Sequence, residues 1–117
     1  MFWWWLFLAI VGTLAAGIAL SAASAYFWKK FNLRSTLADW LHRNNLEKSQ
    51  LMNAFIKIDG YFNGYLRLYV TEKGYSTPQL VSTEEYINMD DLPDDVRQQV
   101  TRVREERGEY KEMVLQN

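Results

Sequence analysis

Hydrophobic side chains are concentrated at the start of the chain. Leu6–Ala25 is a run of twenty apolar or small residues, and residues 1–28 contain no Asp, Glu, Lys, Arg or His. At about 1.5 Å per residue, a helix of this length spans roughly 30 Å, the thickness of the hydrocarbon core of a bilayer. The pattern therefore predicts one N-terminal transmembrane helix.

Aromatic and basic residues flank this run. Trp and Tyr favour the boundary between headgroups and hydrocarbon, while Lys and Arg favour the cytoplasmic side. The residues predicted to lie at the membrane interface are Trp3, Trp4, Trp5, Tyr26, Trp28, Lys29 and Lys30. Because the basic residues follow the run, we expect a single-pass protein of the cell membrane whose C-terminal part is cytoplasmic.

A cleaved signal peptide is the alternative interpretation of the same run. Ala23-Ser24-Ala25 resembles a cleavage site with small residues at both ends. However, no basic region precedes the run, and its length exceeds the usual apolar region of about 7–15 residues. An uncleaved anchor is therefore favoured.

Small residues recur along the predicted span at intervals of three and four. They are Ala9, Gly12, Ala16, Ala19 and Ala23. On a helix this spacing forms one stripe, and small side chains let two helix backbones approach closely in lipid. The stripe predicts packing against a second copy or another membrane subunit, although membrane helices are generally rich in Ala and Gly.

Residues 1–34 are thus assigned to the anchor and residues 35–117 to a small folded domain. Ser35 is a candidate N-cap for a helix that ends near Asn44, and Trp40 on this helix could lie in a core or on the headgroups. Both options for Trp40 stay open.

Alternating side chains predict a β-hairpin over residues 51–71. Leu66, Leu68 and Val70 share one face of a strand, and Tyr65, Arg67 and Tyr69 share the other. Residues 51–58 fit both helical and strand spacing, but Asn63-Gly64 is a preferred pair for a tight hairpin turn and favours a strand. A bulge near Gly60 would align the apolar faces by pairing Ile58 with Leu68.

The remaining segments predict one more strand and one more helix. Residues 79–89 read as a third strand, and Asp90–Asp95 opens a helix that Gly108 ends. Residues 113–115 either add a last strand or fray. The predicted class is α+β, with one transmembrane helix followed by about three antiparallel strands and two helices.

Charge and composition exclude several functions. Residues 35–117 hold ten Lys/Arg and fourteen Asp/Glu, a net charge of −4, so no nucleic-acid partner is expected. The chain has no cysteine, which excludes disulfides and thiolate chemistry and favours a reducing compartment. His42 is the only histidine, and the acidic segment Asp90–Asp95 lacks the ligand pattern of a calcium loop. We predict no catalytic residues, no metal site and no cofactor.

The preferred hypothesis is a non-enzymatic accessory or scaffold subunit that binds a protein partner or forms a homo-oligomer. A domain of this size builds a marginal core, so a partner would help to stabilise it. Tyr65, Arg67 and Tyr69 are its candidate binding face. The alternative is a membrane effector that senses a small molecule, in which Arg67, Lys57 and Lys73 meet an anionic ligand and the oligomerised helices respond.

Overall fold

The computed structural model describes residues 20–60 and 63–116 of the 117-residue chain. Its helices and strands are α1 (Ala22–Lys30), α2 (Leu33–Arg43), β1 (Leu51–Asp59), β2 (Asn63–Glu72), β3 (Gln79–Asn88), α3 (Asp94–Arg107) and β4 (Tyr110–Gln116). The predicted α+β class is confirmed. The described part contains four strands and three helices, whereas about three strands and two helices were expected after the transmembrane helix.

The four strands form one antiparallel sheet in the order β3-β2-β1-β4. Alternate side chains of a strand point to opposite faces, so each strand contributes to two surfaces. On one face, β1 and β2 bury Ala54, Ile56, Ile58, Leu66, Leu68 and Val70 in a common core with apolar residues of all three helices. We call the opposite surface the outer face.

The β1–β2 hairpin is confirmed, but its predicted register is wrong. Ile58 pairs with Leu66 rather than Leu68, a difference of two residues. Because side chains alternate with a period of two, this shift leaves the apolar side chains on the same face. The irregular pairing lies at the far end of the hairpin, between Leu51 and Asn53, and not beside the turn.

The predicted two-residue turn at Asn63-Gly64 is also wrong. The pair nearest the turn is Asp59 and Tyr65, and Asn63 and Gly64 already belong to β2. Gly60 has a φ of +111°, a conformation that residues with a Cβ rarely adopt. The pairing of β1 with β2 therefore ends at Asp59, and the positive φ belongs to Gly60 and not to Asn63 or Gly64.

Helix α1 belongs to the folded unit. Ala23 and Phe27 are fully buried, and only 4% of Trp28 is exposed. The ring of Phe27 meets that of Tyr110 in β4 edge to face, with 6.1 Å between centroids. Residues that the sequence analysis assigned to the anchor thus contribute to the core of the described domain.

The start of α1 is set by a local cap. Ser21 is extended, with φ −67° and ψ 161°, and its hydroxyl accepts a hydrogen bond of 3.0 Å from the backbone N–H of Ser24. An N-cap of this kind satisfies one of the free N–H groups at a helix start. The helix consequently begins at Ala22.

Polar side chains join the start of α1 to α3 and β4. The hydroxyls of Ser21 and Ser24 both donate to the carboxylate of Glu112, the latter at 2.5 Å. Gln99 accepts a 3.1 Å hydrogen bond from the backbone N–H of Ala23, and its amide nitrogen lies 3.4 Å from Glu112. A carboxylate at a helix N-terminus is also favoured by the helix dipole. This cluster holds α1 against the rest of the domain.

Trp40 of helix α2 lies in the core and not on a membrane surface. Leu37, Trp40 and Leu41 are all buried, and Trp40 is only 8% exposed, so it lies in the core. The helix ends at Arg43, as the Asn44-Asn45 pair predicts, and Asn45 takes a positive φ of 54°. The apolar stripe of α2 thus packs in the same core as the inward side chains of the sheet.

Helix α3 and strand β4 complete the core. Val96, Val100 and Val103 of α3 are buried, and the helix ends at Gly108 with a φ of +81°, as predicted. The segment that could have frayed forms β4, which pairs with β1. This pairing places the end of the chain beside the first strand.

Only the end of the predicted transmembrane run lies within the residues that the structure describes. Residues 6–19 of that run fall outside the described residues, and Ala22–Ala25 are the first residues of α1. Within residues 20–60 and 63–116, no helix has the length and apolar character needed to cross a bilayer.

Candidate interaction surface

The outer face of the sheet carries large exposed side chains. In the described part of the chain, five large hydrophobic residues are exposed, and three of them lie here: Tyr65 at 46%, Leu80 at 50% and Tyr86 at 57%. Single exposed apolar residues are common on protein surfaces, but a group on one face marks a candidate interaction site.

Strand pairing aligns these side chains in rows across the sheet. Cross-strand neighbours on one face lie about 5 Å apart and contact each other. The apolar row consists of Leu80, Tyr69, Phe55 and Met113. The adjacent cationic row consists of Arg67, Lys57 and Lys111. Tyr65 and Tyr86 pair on the far side of the cationic row, and we call them the tyrosine pair.

Ring contacts hold the rows in place. Phe55 and Tyr69 stack with 5.2 Å between centroids, and the tyrosine pair meets edge to face at 6.1 Å. Lys111 Nζ lies 4.4 Å from the centroid of the Phe55 ring. Each such contact is worth about 0.5–1 kcal/mol, so the outer face is ordered before any partner binds.

Two carboxylates compensate part of the positive charge. Arg67 forms a salt bridge with Asp59, and Lys57 Nζ lies 3.6 Å from the same carboxylate and 3.7 Å from that of Glu109. Three cations therefore face two carboxylates. Arg67 and Lys57 are thus paired, whereas Lys111 pairs with neither of these carboxylates.

The residues of the predicted binding face lie together. Tyr65, Arg67 and Tyr69 all project from β2 onto the outer face, and Lys57 is the direct cross-strand neighbour of Arg67. Lys73 does not join them, because it lies in the turn beyond the end of β2. The anionic site expected from Arg67, Lys57 and Lys73 is thus not assembled by the described residues.

Sequence reasoning missed half of this surface. The sequence pattern assigns no role on this surface to Phe55, Leu80, Lys111 or Met113. The alternation of Phe55 with buried Ile56 is the local signal that would have placed Phe55 on the outer face. No local signal could place Lys111 beside it, because that contact depends on the pairing of β4 with β1.

The structure describes only some of the residues that were predicted to lie in the membrane or at its interface. Trp3, Trp4, Trp5, Ala9, Gly12, Ala16 and Ala19 lie outside the described residues. Ala23 and Trp28 lie in the core, whereas Lys29 and Lys30 are exposed on α1. Lys30 Nζ is 5.5 Å from the ring centroid of half-buried Tyr26, to which it also donates a hydrogen bond.

A surface pocket of about 490 Å³ lies beside α3. Its lining includes Arg97, Arg104, Asp90 and Glu105. Arg97 is paired with Asp94 at 2.5 Å, and Arg104 donates a 2.7 Å hydrogen bond to the carbonyl of Gly60. Both guanidinium groups therefore already have partners within the fold, which makes this pocket a poorer candidate than the outer face.

A metal site requires a group of ligand side chains in a suitable geometry. Across residues 20–60 and 63–116, no three His, Cys, Asp or Glu side chains are grouped so that they could hold a metal ion. His42 is an exposed residue of α2. No protein-family model, curated protein or solved structure matches this chain. The function is accordingly inferred from the surface itself.

Proposed function

We propose that this protein is a non-enzymatic, single-pass membrane accessory or scaffold subunit whose α+β domain docks another protein on its outer face. The observation that carries the proposal is the exposed tyrosine pair and exposed Leu80, continued by half-buried Tyr69 and Met113 around the buried ring of Phe55, beside a row of cations. Tyr, Met and Arg are enriched at protein interfaces, and Tyr and Arg are the residues that often dominate binding energy there.

The predicted anchor fits the start of the domain. Since Ser21 caps α1, the proposed membrane helix would end at Leu20 and would use the part of the apolar run that precedes Ser21, with Trp3, Trp4 and Trp5 at its outer interface. Four of the five residues in the predicted small-residue stripe precede α1, so packing with a second membrane helix remains part of the proposal. Lys29 and Lys30 would then lie close to the headgroups on the cytoplasmic side.

The ligand-sensing alternative has less support. Its three cations are not assembled, and Arg67 and Lys57 share the carboxylate of Asp59. An anion would have to compete with that carboxylate at each of the two sites. A protein surface can add contacts to the apolar row, which a small anion would leave uncovered.

The single-span topology is testable with engineered cysteines, because the natural chain has none. Phe2→Cys and Ser76→Cys, made separately in the full chain, should react with an impermeant maleimide from opposite sides of the membrane. The Ser76 site should be labelled only from the cytoplasmic side, and both sites should react once detergent dissolves the membrane. Labelling of Ser76→Cys in intact cells would reverse the orientation, and labelling of both sites from one side would contradict a single span.

Docking on the outer face is testable by photo-crosslinking in the native membrane. Leu80→p-benzoylphenylalanine places the reactive group in the apolar row, where the side chain is half exposed. We expect a discrete adduct with another polypeptide. The matched control is Arg102→p-benzoylphenylalanine on the exposed side of α3, which should give little adduct. Absence of an adduct at position 80, or equal adducts at both positions, would contradict docking on this face.

A further inference from the structure

We infer that the polypeptide bound by the outer face presents carboxylates beside a line of apolar side chains. This inference rests on the proposed function, since it specifies the chemistry of the partner that the outer face docks. It follows from the arrangement of the apolar and cationic rows and from the charges that the fold leaves uncompensated.

The geometry of the rows determines the spacing that a partner must match. Adjacent strands lie about 4.8 Å apart, so the apolar row extends about 14 Å from Leu80 to Met113. Residues two apart along a strand are separated by about 7 Å, which is the distance between the apolar and cationic rows. A partner that covers the apolar row therefore brings its neighbouring side chains within reach of all three cations.

The cationic row can form an ion pair with a further carboxylate. Among the ion pairs of the described residues, Lys111 takes part in none, and its ammonium group lies over the ring of Phe55. Arg67 and Lys57 keep 32% and 31% of their side chains exposed. A docked partner would remove the water that contacts these exposed parts of the side chains. Burial of a cation without a carboxylate to replace that water costs free energy.

A second copy of the chain satisfies these cations less well. Suppose that two copies stack their outer faces, related by a two-fold axis that runs along the apolar row. The cationic row of each copy would then lie against the row that flanks the apolar row of the other copy on its side away from the cations. That row consists of Thr71, Asn53 and Gln116, none of which carries a charge. The cations would then be buried without partners, so symmetric self-association on this face is disfavoured.

Nucleic acid and lipid fit less well than an acidic polypeptide. The cationic row holds only three cations, two of them already paired, and residues 35–117 are net negative, whereas binding to a phosphate backbone needs a concentrated basic surface. A lipid surface offers headgroup charge but no matching line of apolar groups at the same depth. A polypeptide can supply both at a spacing of a few ångströms.

Charge reversal at Lys111 isolates the inferred contact. Because Lys111 forms no ion pair in the described fold, Lys111→Glu changes the charge of the outer face without breaking one. Lys73→Glu is the matched control, since it makes the same charge change on an exposed lysine in the turn beyond β2. Lys73→Glu should unfold at the same temperature as the parent. Lys111→Glu loses the contact with the Phe55 ring, worth about 0.5–1 kcal/mol, and should unfold only a few degrees lower, which shows that the fold is intact.

The experiment combines these variants with the Leu80→p-benzoylphenylalanine crosslinker in the native membrane. We expect Lys111→Glu to lower the adduct yield by about tenfold at low salt, since like charges repel across an interface, and Lys73→Glu to leave it unchanged. Mass spectrometry should place the adduct on a partner segment with Asp or Glu beside apolar residues. Replacing those acidic residues with Lys should restore the adduct to the Lys111→Glu variant.

Several outcomes would overturn the inference. An adduct of unchanged yield in Lys111→Glu would show a docked partner that needs no carboxylate, so the proposed function would stand and the inference would fail. An adduct with twice the mass of the chain would identify a second copy, and an adduct with lipid would identify the membrane; either result rejects an acidic partner. Absence of any adduct in the parent would reject the proposed docking itself.

Discussion

Replacing Phe27 with Ala should destabilise the whole domain. The side chain is fully buried, and its ring contacts those of Tyr110, Tyr26 and Phe31 at centroid distances of 6.1, 5.3 and 6.4 Å. Truncation of a buried Phe typically costs about 3–5 kcal/mol, a large share of the roughly 5–15 kcal/mol that stabilises a small domain. The midpoint of thermal unfolding should fall by more than about 12 °C for a domain of this size.

The measurement is thermal unfolding of the full chain in detergent, followed by the circular dichroism of the sheet. Lys29→Ala is the matched control, because Lys29 is exposed on the same helix and its removal should change stability by less than about 0.5 kcal/mol. If Phe27→Ala melted like the parent, α1 would not belong to the core. Residues 22–30 would then return to the membrane anchor that the sequence pattern assigned to them.

Gly64→Ala should also destabilise the domain, for a steric reason. A Cβ at position 64 would lie 2.0 Å from the carbonyl oxygen of Asp59 and 3.2 Å from Cγ2 of Ile58. Since the nearer contact is backbone, the two strands would have to separate where the hairpin closes. We expect a loss of about 3 kcal/mol in the free energy of unfolding, at the upper end of overpacking effects.

A second glycine provides the control. Gly74 has a φ of +87°, but a Cβ there would meet nothing within 4 Å. Gly74→Ala should therefore cost only the conformational penalty of a left-handed residue, about 1 kcal/mol. Denaturant unfolding of both full-length variants gives the comparison. Equal losses for the two variants would show that close approach of the strands at Gly64 is not what requires a glycine.

Local patterns in the sequence determined several elements correctly. The strict alternation of β2 separated its core residues from Tyr65, Arg67 and Tyr69, because a strand can bury only every second side chain. Gly108 marked the end of α3 correctly, since caps act through neighbouring backbone groups, whereas the helix begins at Asp94 after Pro93 and has no side-chain cap. These features depend on residues close in the chain, so they could be predicted without knowledge of the fold.

The register of the hairpin and the order of the strands in the sheet could not be predicted from local sequence patterns. The hairpin pairs Ile58 with Leu66 instead of Leu68, and both choices keep the apolar side chains on one face. The hydrophobic pattern therefore cannot distinguish the two registers, and only the strand pairing of the folded chain does so. The rows of the outer face likewise combine Leu80, Phe55 and Met113, which only the strand order β3-β2-β1-β4 brings together.

The sequence by itself determined that the start of the chain is apolar, that the following residues form an α+β domain and that β2 has one apolar and one aromatic-cationic face. The tertiary structure alone decided that residues of α1 belong to the core of the domain. Ala23, Phe27 and Trp28 are suited by composition to a bilayer or to a protein core, because both environments reward the removal of apolar surface from water. Shape and partners separate the two environments: Ser21 caps a new helix, and Glu112 and Gln99 hold its start against α3 and β4.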